Sequence, residues 1–318
     1  MPPETSRRAA PGLDRLRGAV DGHVHAAPHI NARRLDALEA VREAAAAGMA
    51  GLGLMDNFAN SSGLAALLTR ELGHLGVDVF GGLIMEPPAG GVSAACARIA
   101  LAYGYGPGED GSGGARFLSF PTHHTRHVAR GEGRSPAHVE SCFHVPAGPL
   151  PDPVPEILDL AAEADVVLNL GHLADEELVR LAEAARARGV ARVLAPANHA
   201  APDAVRELCA LGAHVEFSFF FVSHATGVGL THVDAERHVI AGVPVPALVE
   251  RVRAAAPGRL VLSSDCGSSL LPPPVEGLRC FLALLDAAGV EDETLRAAVG
   301  ETPARLFRVQ RPKGVGGA

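Results

Sequence analysis

The sequence predicts a single (β/α)₈ TIM barrel, and three observations predict it. Short apolar segments alternate with Ala-, Leu-, Glu- and Arg-rich segments of helical periodicity, and eight such pairs follow one another. The apolar segments show no polar alternation, as in parallel strands that are covered on both faces. Eight units in 318 residues fit one barrel of about 250 residues with long loops. The main alternative is an open, doubly wound sheet, but no Gly-x-Gly-x-x-Gly follows the first strand.

Each unit consists of a strand followed by a helix. We predict strands at 19–25, 51–55, 77–85, 116–120, 165–170, 191–195, 214–221 and 259–263. The helices that follow them are predicted at 35–47, 62–72, 92–102, 154–163, 175–188, 202–211, 246–255 and 275–288, with short closing helices at 292–299 and 303–307. Residues 1–12 and 310–318 have no periodicity, so we expect flexible tails on either side of one barrel domain at 13–309.

Three connections are longer than a compact barrel requires. Residues 103–115 precede the fourth strand and would lie at the amino-terminal face of the barrel. Residues 121–153 follow the fourth strand and residues 222–245 follow the seventh, so both would lie at the carboxyl-terminal face. Active sites of barrel enzymes form at that face. The two long loops are therefore expected to line a substrate pocket.

The composition excludes several classes of function. Apolar residues make up 47% and charged residues 20%, and 36 acidic against 28 basic residues give a net charge of −8. This balance argues against a nucleic-acid or anionic-membrane partner, and no segment resembles a membrane span or a secretory signal. The five cysteines are scattered, which favours a reducing, cytoplasmic setting. We expect a small-molecule substrate and leave homo-oligomerisation open.

Histidine is unusually abundant, with 15 residues, and several histidines fall at predicted strand ends. The ligand-type residues at the ends of strands one, five, six and eight are His23, His25, His172, His199 and Asp265. His23 and His25 are two apart and would point the same way. Each residue alone could be a helix cap or a hydrogen-bonded histidine. Their recurrence at one face of a barrel predicts a divalent metal site, for Zn²⁺ in the first place and Mn²⁺ or Fe²⁺ next.

These positions resemble the amidohydrolase superfamily of metal-dependent hydrolases. The resemblance rests on Asp21-Gly-His23-Val-His25, on His172, His199 and Asp265, and on Glu-Thr-Pro-Ala-Arg-Leu-Phe at 301–307. It implies that His23 and His25 hold the more buried metal. It also implies that His172 and His199 hold a second metal or that one of them contacts the metal-bound water. By the same resemblance, His199 and Asp265 are the catalytic candidates, with Asp265 as ligand and general base.

The sequence departs from this superfamily in one respect. Many of its two-metal members carry a carboxylated lysine after the fourth strand, whereas the single lysine here is Lys313 in the tail. Three alternatives remain open. The site holds one metal, Glu86 replaces the bridge, or histidines after the fourth strand enter the metal shell. The histidines concerned are His123, His124 and His127, which could equally line the pocket without binding metal.

The leading hypothesis is a metal-dependent hydrolase that acts on an amide, cyclic amide, lactone or related ester through a metal-activated water. A single-metal decarboxylase or deaminase of the same superfamily is the alternative. A non-catalytic metal-binding barrel is the third reading, which a site of His and Asp beside long loops disfavours.

Overall fold

The computed structural model describes residues 11–104, 114–228, 230–231 and 237–310. The strands are β1 (Val20–Val24), β2 (Gly51–Leu54), β3 (Asp78–Ile84), β4 (Phe117–Ser119), β5 (Val167–Asn169), β6 (Val193–Pro196), β7 (His214–Ser218), β8 (Leu230–Thr231), β9 (Arg237–His238) and β10 (Leu260–Ser263). Strands β1 to β7 and β10 form one parallel sheet in that order. A parallel bridge between Val24 and Cys266 joins its two edges. The predicted barrel is therefore confirmed, with β10 as its eighth strand.

The helices cover the outside of the barrel. They are α1 (Ala37–Ala46), α2 (Ser62–Leu72), α3 (Ala94–Ala102), α4 (Arg126–Gly131), α5 (Pro136–Ser141), α6 (Val154–Glu163), α7 (Asp175–Ala187), α8 (Pro202–Ala210), α9 (Val245–Ala254), α10 (Pro274–Ala287), α11 (Asp292–Val299) and α12 (Glu301–Leu306). In the described residues, no helix combines the length and apolarity that a membrane crossing needs.

Side chains that alternate along the strands separate two apolar layers. Phe80, Phe117 and Val261 belong to a small cluster enclosed by the strands, whereas their sequence neighbours pack outward against the helices. Phe307, just after α12, stacks on Phe80 at 4.7 Å between ring centroids. The closing helix thus fills the amino-terminal end of the barrel, and the carboxyl-terminal end is left for polar residues.

The long loops contain structure that the periodicity did not predict. Helices α4 and α5 lie in the loop after β4, and the β8–β9 hairpin lies in the loop after β7. The seventh strand ends at Ser218 instead of 221, because a 3₁₀ helix (Phe219–Val222) turns the chain across the barrel mouth. An unbroken apolar run carries no signal for such an end. Residues 1–10 and 311–318 of the predicted tails, and residues 105–113 of the long connection before β4, lie outside the described residues, and the domain boundaries stay a prediction.

Candidate metal centre

A shift of strand register directs the two histidines of β1 into the barrel. Val20 lies in the inner cluster, so strict alternation would put Val24 inside and His23 outside. The pairing of β1 with β2 shifts between Asp21 and Val24, and Val24 packs in the outer layer instead. A bulge of this kind re-aims the side chains that follow it. The imidazoles of His23 and His25 consequently share the inner face, with ring centroids 5.3 Å apart.

Asp265 reaches the same point from the end of β10. Its backbone has φ of 50°, a left-handed conformation that is uncommon outside Gly, Asn and Asp. Its N–H donates to the carbonyl of His23 at 3.0 Å, and the N–H of His25 donates to the carbonyl of Cys266 at 2.8 Å. At Gly267, with φ of 147°, an added Cβ would lie 1.8 Å from the His25 carbonyl oxygen. The close approach of these two chain segments fixes Asp265 beside the histidines.

The three side chains form a cluster of ligand geometry. Asp265 Oδ1 lies 3.4 Å from Nε2 of His23 and 3.4 Å from Nε2 of His25. All three ligand atoms lie within 4.8 Å of one another. Ligand atoms about 2.0–2.1 Å from a tetrahedral cation are about 3.3–3.4 Å apart. The measured spacing therefore fits one bound divalent cation with little movement.

Glu216, on β7, stands behind His23. Its Oε1 lies 3.3 Å from His23 Nδ1, and its side chain is 2% exposed. A carboxylate at Nδ1 holds the proton there and leaves Nε2 as the electron pair donor, which is the usual support of a metal-bound histidine. Burial alone would lower the pKa of His23, but the carboxylates of Asp265 and Glu216 raise it to about 10. Without a cation at Nε2, these carboxylates thus favour a proton in its place.

A further buried carboxyl group lies on β1. Oδ1 of Asp21 accepts hydrogen bonds from the N–H groups of His23 and Ser264, at 3.2 and 3.1 Å. Oδ2 of Asp21 is buried without a hydrogen-bond partner, as is Oε2 of Glu216. Burial raises the pKa of Asp21 to about 7. The barrel mouth therefore concentrates buried carboxyl groups around two imidazoles.

The other ionisation states suit a metal ligand set. Burial lowers the pKa of His25 to about 4, which keeps its imidazole neutral. Burial alone would raise the pKa of Asp265, but His23 and His25 lower it, so the carboxylate is charged. A neutral imidazole and an ionised carboxylate are the forms in which these side chains bind metal.

A cavity of about 340 Å³ opens above the cluster. Its walls include His172 and His123, the apolar side chains of Phe220 and Phe221, and Arg33 from the loop after β1. Asp265 is 14% exposed, so its carboxylate lies at the cavity surface. A small organic molecule in this cavity would therefore contact the cluster.

A family model described as a family of unknown function, DUF6282, matches residues 18–216. This range covers more than half of the 318 residues. The chain belongs to the DUF6282 family. The matched range begins just before β1 and ends at Glu216, so it contains both β1 histidines, whereas Asp265 lies beyond it. No curated protein matches the chain.

Several solved structures resemble this member of the DUF6282 family. An organophosphorus hydrolase from Deinococcus radiodurans is 16% identical over 85% of this chain and 82% of its own, with a TM-score of 0.51. A mutant PTE-like lactonase from the same organism is 17% identical over 85% of each chain, with a TM-score of 0.51. A third structure comes from the engineering of organophosphate hydrolysis activity from a weak promiscuous lactonase template. Its identity, its coverage of both chains and its TM-score equal those of the mutant lactonase. At this identity the similarity shows the fold, so the barrel that the amidohydrolase resemblance implies is confirmed.

Two predicted ligands lie near the cluster without joining it. His172 follows Gly171, where φ of 73° and a Cβ position 2.3 Å from the Pro121 carbonyl oxygen require glycine. Its ring lines the cavity, but its nitrogens lie outside the group of atoms within 4.8 Å. His199 is exposed and lines an adjacent cavity of about 190 Å³. Its Nε2 donates to the Ala241 carbonyl at 2.8 Å, so that nitrogen is turned away from the cluster.

Glu86 holds the backbone of the loop after β4. Its Oε1 accepts from the N–H groups of Thr122 and His123, at 2.7 and 2.6 Å, and its Oε2 accepts from that of His124 at 3.2 Å. The side chain is buried, and these contacts occupy it. Among the described residues there is no lysine, and neither Glu86 nor another carboxylate joins Asp265 in the group of mutually close ligand atoms. The described residues at this mouth thus form one group of three ligand atoms that could hold a cation.

The predicted histidines of this loop separate. His123 lines the cavity above the cluster, and His127 lines the adjacent cavity. His124 points to the far side of the loop, where it approaches His138 and Cys142. Adjacent residues of an extended segment point to opposite sides, and the structure shows His123 and His124 on different surfaces.

Sequence reasoning missed Glu216 and Arg33. Glu216 lies in the middle of an apolar strand, and a charged residue there was the available signal, because an acid inside a buried strand needs a partner. Arg33 lies in an irregular loop, and no periodicity or spacing predicts its direction.

Proposed function

We propose that this chain is a metal-dependent hydrolase with one catalytic divalent cation, Zn²⁺ in the first place. The observation that carries the proposal is the 3.4 Å spacing of Asp265 Oδ1 from both Nε2 atoms, with Glu216 behind His23. The substrate class is an amide, cyclic amide, lactone or related ester. The fold shared with a lactonase and an organophosphorus hydrolase supports this class of chemistry.

The residues at the barrel mouth have separate roles in this proposal. His23, His25 and Asp265 would hold the cation, which supplies Lewis-acid chemistry by polarising the scissile carbonyl and acidifying water. Asp265, at the cavity surface, takes the proton of the attacking water and passes it to the leaving group. His172 stays neutral because burial lowers its pKa to about 4, so it can hydrogen-bond the substrate. Phe220 and Phe221 exclude water from one side.

Arg33 indicates the charge of the substrate. It lines the cavity, and Nη2 of its guanidinium group lies 2.7 Å from Nε2 of His29. Its Nε is buried without a hydrogen-bond partner. A guanidinium at the wall of a cavity is a group that binds carboxylates through its N–H donors. We therefore infer that the substrate carries a carboxylate or similar anion beside the bond that is cleaved.

The test combines metal content with a substrate panel. Protein purified without chelator should contain about one equivalent of metal at the barrel mouth, and the His23→Ala/His25→Ala variant should lose it. Lactones, cyclic imides and N-acyl amino acids are then assayed with the native enzyme and with Asp265→Asn. Hydrolysis that requires both the metal and Asp265 supports the proposal. A folded native protein that takes up no metal contradicts it.

The substrate anion is tested with matched pairs. Arg33→Gln should raise KM by about tenfold or more for an anionic substrate, since charge-assisted hydrogen bonds contribute about 1.5–3 kcal/mol, and should change KM little for its methyl ester. Equal effects on both substrates would refute this role of Arg33.

A single-metal decarboxylase is the second candidate. Two observations favour it. The mouth has a single ligand group, and Arg33 lines the same cavity. Together they suit a substrate with a carboxylate. Aromatic and unsaturated acids are added to the panel, and released carbon dioxide is measured. Carbon dioxide release without hydrolysis of any ester or amide would select this candidate.

A further inference from the structure

A second cluster of ligand side chains lies in the loop after β4, outside the barrel mouth. It consists of His124, His138 and Cys142, whose ligand atoms all lie within 4.8 Å of one another. The rings of His124 and His138 meet edge to face with centroids 5.3 Å apart. Cys142 is buried, at 3% exposure, and both histidines are partly exposed. Neither cavity at the barrel mouth is lined by any of the three.

The backbone brings the ends of this loop together. Thr125 and Phe143 form a parallel bridge. The N–H of Phe143 donates to the carbonyl of His124 at 3.0 Å, and the N–H of Arg126 donates to that of Phe143 at 2.9 Å. His124 and Cys142 each precede a bridged residue, so they are neighbours across the bridge. Their proximity is therefore set by the fold before any ion binds.

Helix α5 supplies the third ligand. His138 lies four residues before Cys142, so one helical turn places both on the same side. The Sγ of Cys142 donates to the His138 carbonyl at 3.2 Å. Burial raises the pKa of the Cys142 thiol, so a cation must displace its proton to solvent. Two imidazoles and a thiol are donors that zinc prefers.

We propose that His124, His138 and Cys142 form a second cation site, which takes Zn²⁺ or a similar borderline divalent ion. Ligands of a tetrahedral zinc with two nitrogens and one sulfur lie about 3.3–3.6 Å apart, so the cluster closes on an ion by movements of about 1 Å. The partial exposure of both histidines leaves the fourth position to water. The thiol proton leaves as the Zn–S bond forms.

The site would fix one wall of the cavity at the barrel mouth. Helices α4 and α5 have six residues each, which is too short for independent stability. Their own apolar cluster contains only Ala129, Val139 and Cys142. Glu86 holds the N–H groups on either side of His123, and His123 lines the cavity. A cation bound by His124 and by the two ligands at α5 would therefore connect this pair of helices to His124, which is next to His123 in the cavity wall.

Cobalt substitution tests this site separately from the barrel mouth. Thiolate bound to Co²⁺ gives an intense charge-transfer band in the near ultraviolet, and the ligand group at the barrel mouth contains no thiol. We expect metal-free protein to bind two equivalents of Co²⁺ and to show this band. Cys142→Ser should bind one equivalent without the band. Cys266→Ser and Cys209→Ser, which change the other buried thiols, should keep the band.

Two further variants complete the test. The His23→Ala/His25→Ala variant should keep the band and lose the other equivalent, so failure of the proposed function is distinguishable from failure of this site. If Cys142→Ser does not fold, His138→Asn, which spares the buried thiol, replaces it and should weaken Co²⁺ binding at this site at least tenfold. Folded native protein without the band, a band that survives in the folded Cys142→Ser variant, or unchanged Co²⁺ affinity of this site in the folded His138→Asn variant overturns the proposal.

Discussion

Glu216→Gln is the most informative single change at the barrel mouth. The glutamine has the shape of the glutamate, and its amide oxygen can still accept the Nδ1–H of His23, so the change removes mainly the negative charge. A carboxylate in this position typically contributes 10- to 100-fold to metal affinity. At about 1.4 kcal/mol per tenfold, the expected loss is about 1.4–2.8 kcal/mol of binding free energy. The 3.3 Å contact of Glu216 with His23 Nδ1 and its 2% exposure support a loss in this range.

The assay is competition for Zn²⁺ with a chromogenic chelator at constant pH, alongside urea unfolding of the metal-free protein. A merely structural role would lower the free energy of unfolding and leave the zinc affinity of the folded protein unchanged. Since Oε2 of Glu216 is buried without a partner, removal of the charge also removes a desolvation cost. We therefore expect affinity to fall while the unfolding free energy of the metal-free protein is largely kept.

Glu177→Gln is the matched control. Glu177 accepts from the N–H groups of Val145 and Ala174, at 2.9 and 3.1 Å, and lies in the first turn of helix α7, outside the ligand cluster. Its change should affect stability alone. Zinc affinity of folded Glu216→Gln within twofold of the native value would refute the role of Glu216 as the support of His23.

Three further predictions follow from the fold and the charges. Gly267→Ala should destabilise the protein by at least about 2 kcal/mol in urea unfolding, because its Cβ would overlap the His25 carbonyl; Gly189→Ala, also at positive φ but in open space, should cost less than half as much. Burial lowers the pKa of His214 to about 4. Its contribution to stability is therefore fully present above the unfolded pKa of about 6.5 and is lost as the pH falls towards 4. His214→Gln should accordingly flatten the acid loss of stability by up to about 3 kcal/mol, and an unchanged pH profile would contradict this. Chelation should lower the melting temperature, and Zn²⁺ at 100 times its Kd should restore about 2.7 kcal/mol; a melting temperature that is insensitive to metal would contradict a cation at the mouth.

The sequence placed the three clustered residues at one face of the barrel because strand ends fix where a chain segment emerges. His23, His25 and Asp265 lie within two residues of the carboxyl ends of β1 and β10, and parallel strands bring those ends to one face. The prediction that His23 and His25 point the same way is confirmed. Its reason is incomplete, since they reach the inner face only through the bulge before them. Apolar patterning does not reveal that bulge, because Val20 and Val24 are equally apolar.

Side-chain direction beyond the strand end could not be predicted in the same way. His199 emerges at the correct face, but its orientation depends on a hydrogen bond to Ala241, 42 residues later in the chain. Glu86 looked equally available as a ligand, and its carboxylate is instead used by three backbone N–H groups of a loop that folds back on it. Both outcomes depend on where a long loop passes, which local sequence does not determine.

The charges at the barrel mouth explain why these residues coexist in a buried place. Three carboxyl groups are buried or nearly buried here. Asp21 is fully buried, and the side chains of Glu216 and Asp265 are 2% and 14% exposed. Two oxygens of these groups have no hydrogen-bond partner. Buried charges of one sign are costly unless a partner offsets them. Protonation of His23 offsets one negative charge of these carboxylates. A divalent cation at Nε2 offsets two of them, and Glu216 still holds the proton on Nδ1. The arrangement that makes the barrel mouth costly to fold is thus one that a metal ion would stabilise, and the group proposed to move the proton in catalysis, Asp265, belongs to that same arrangement.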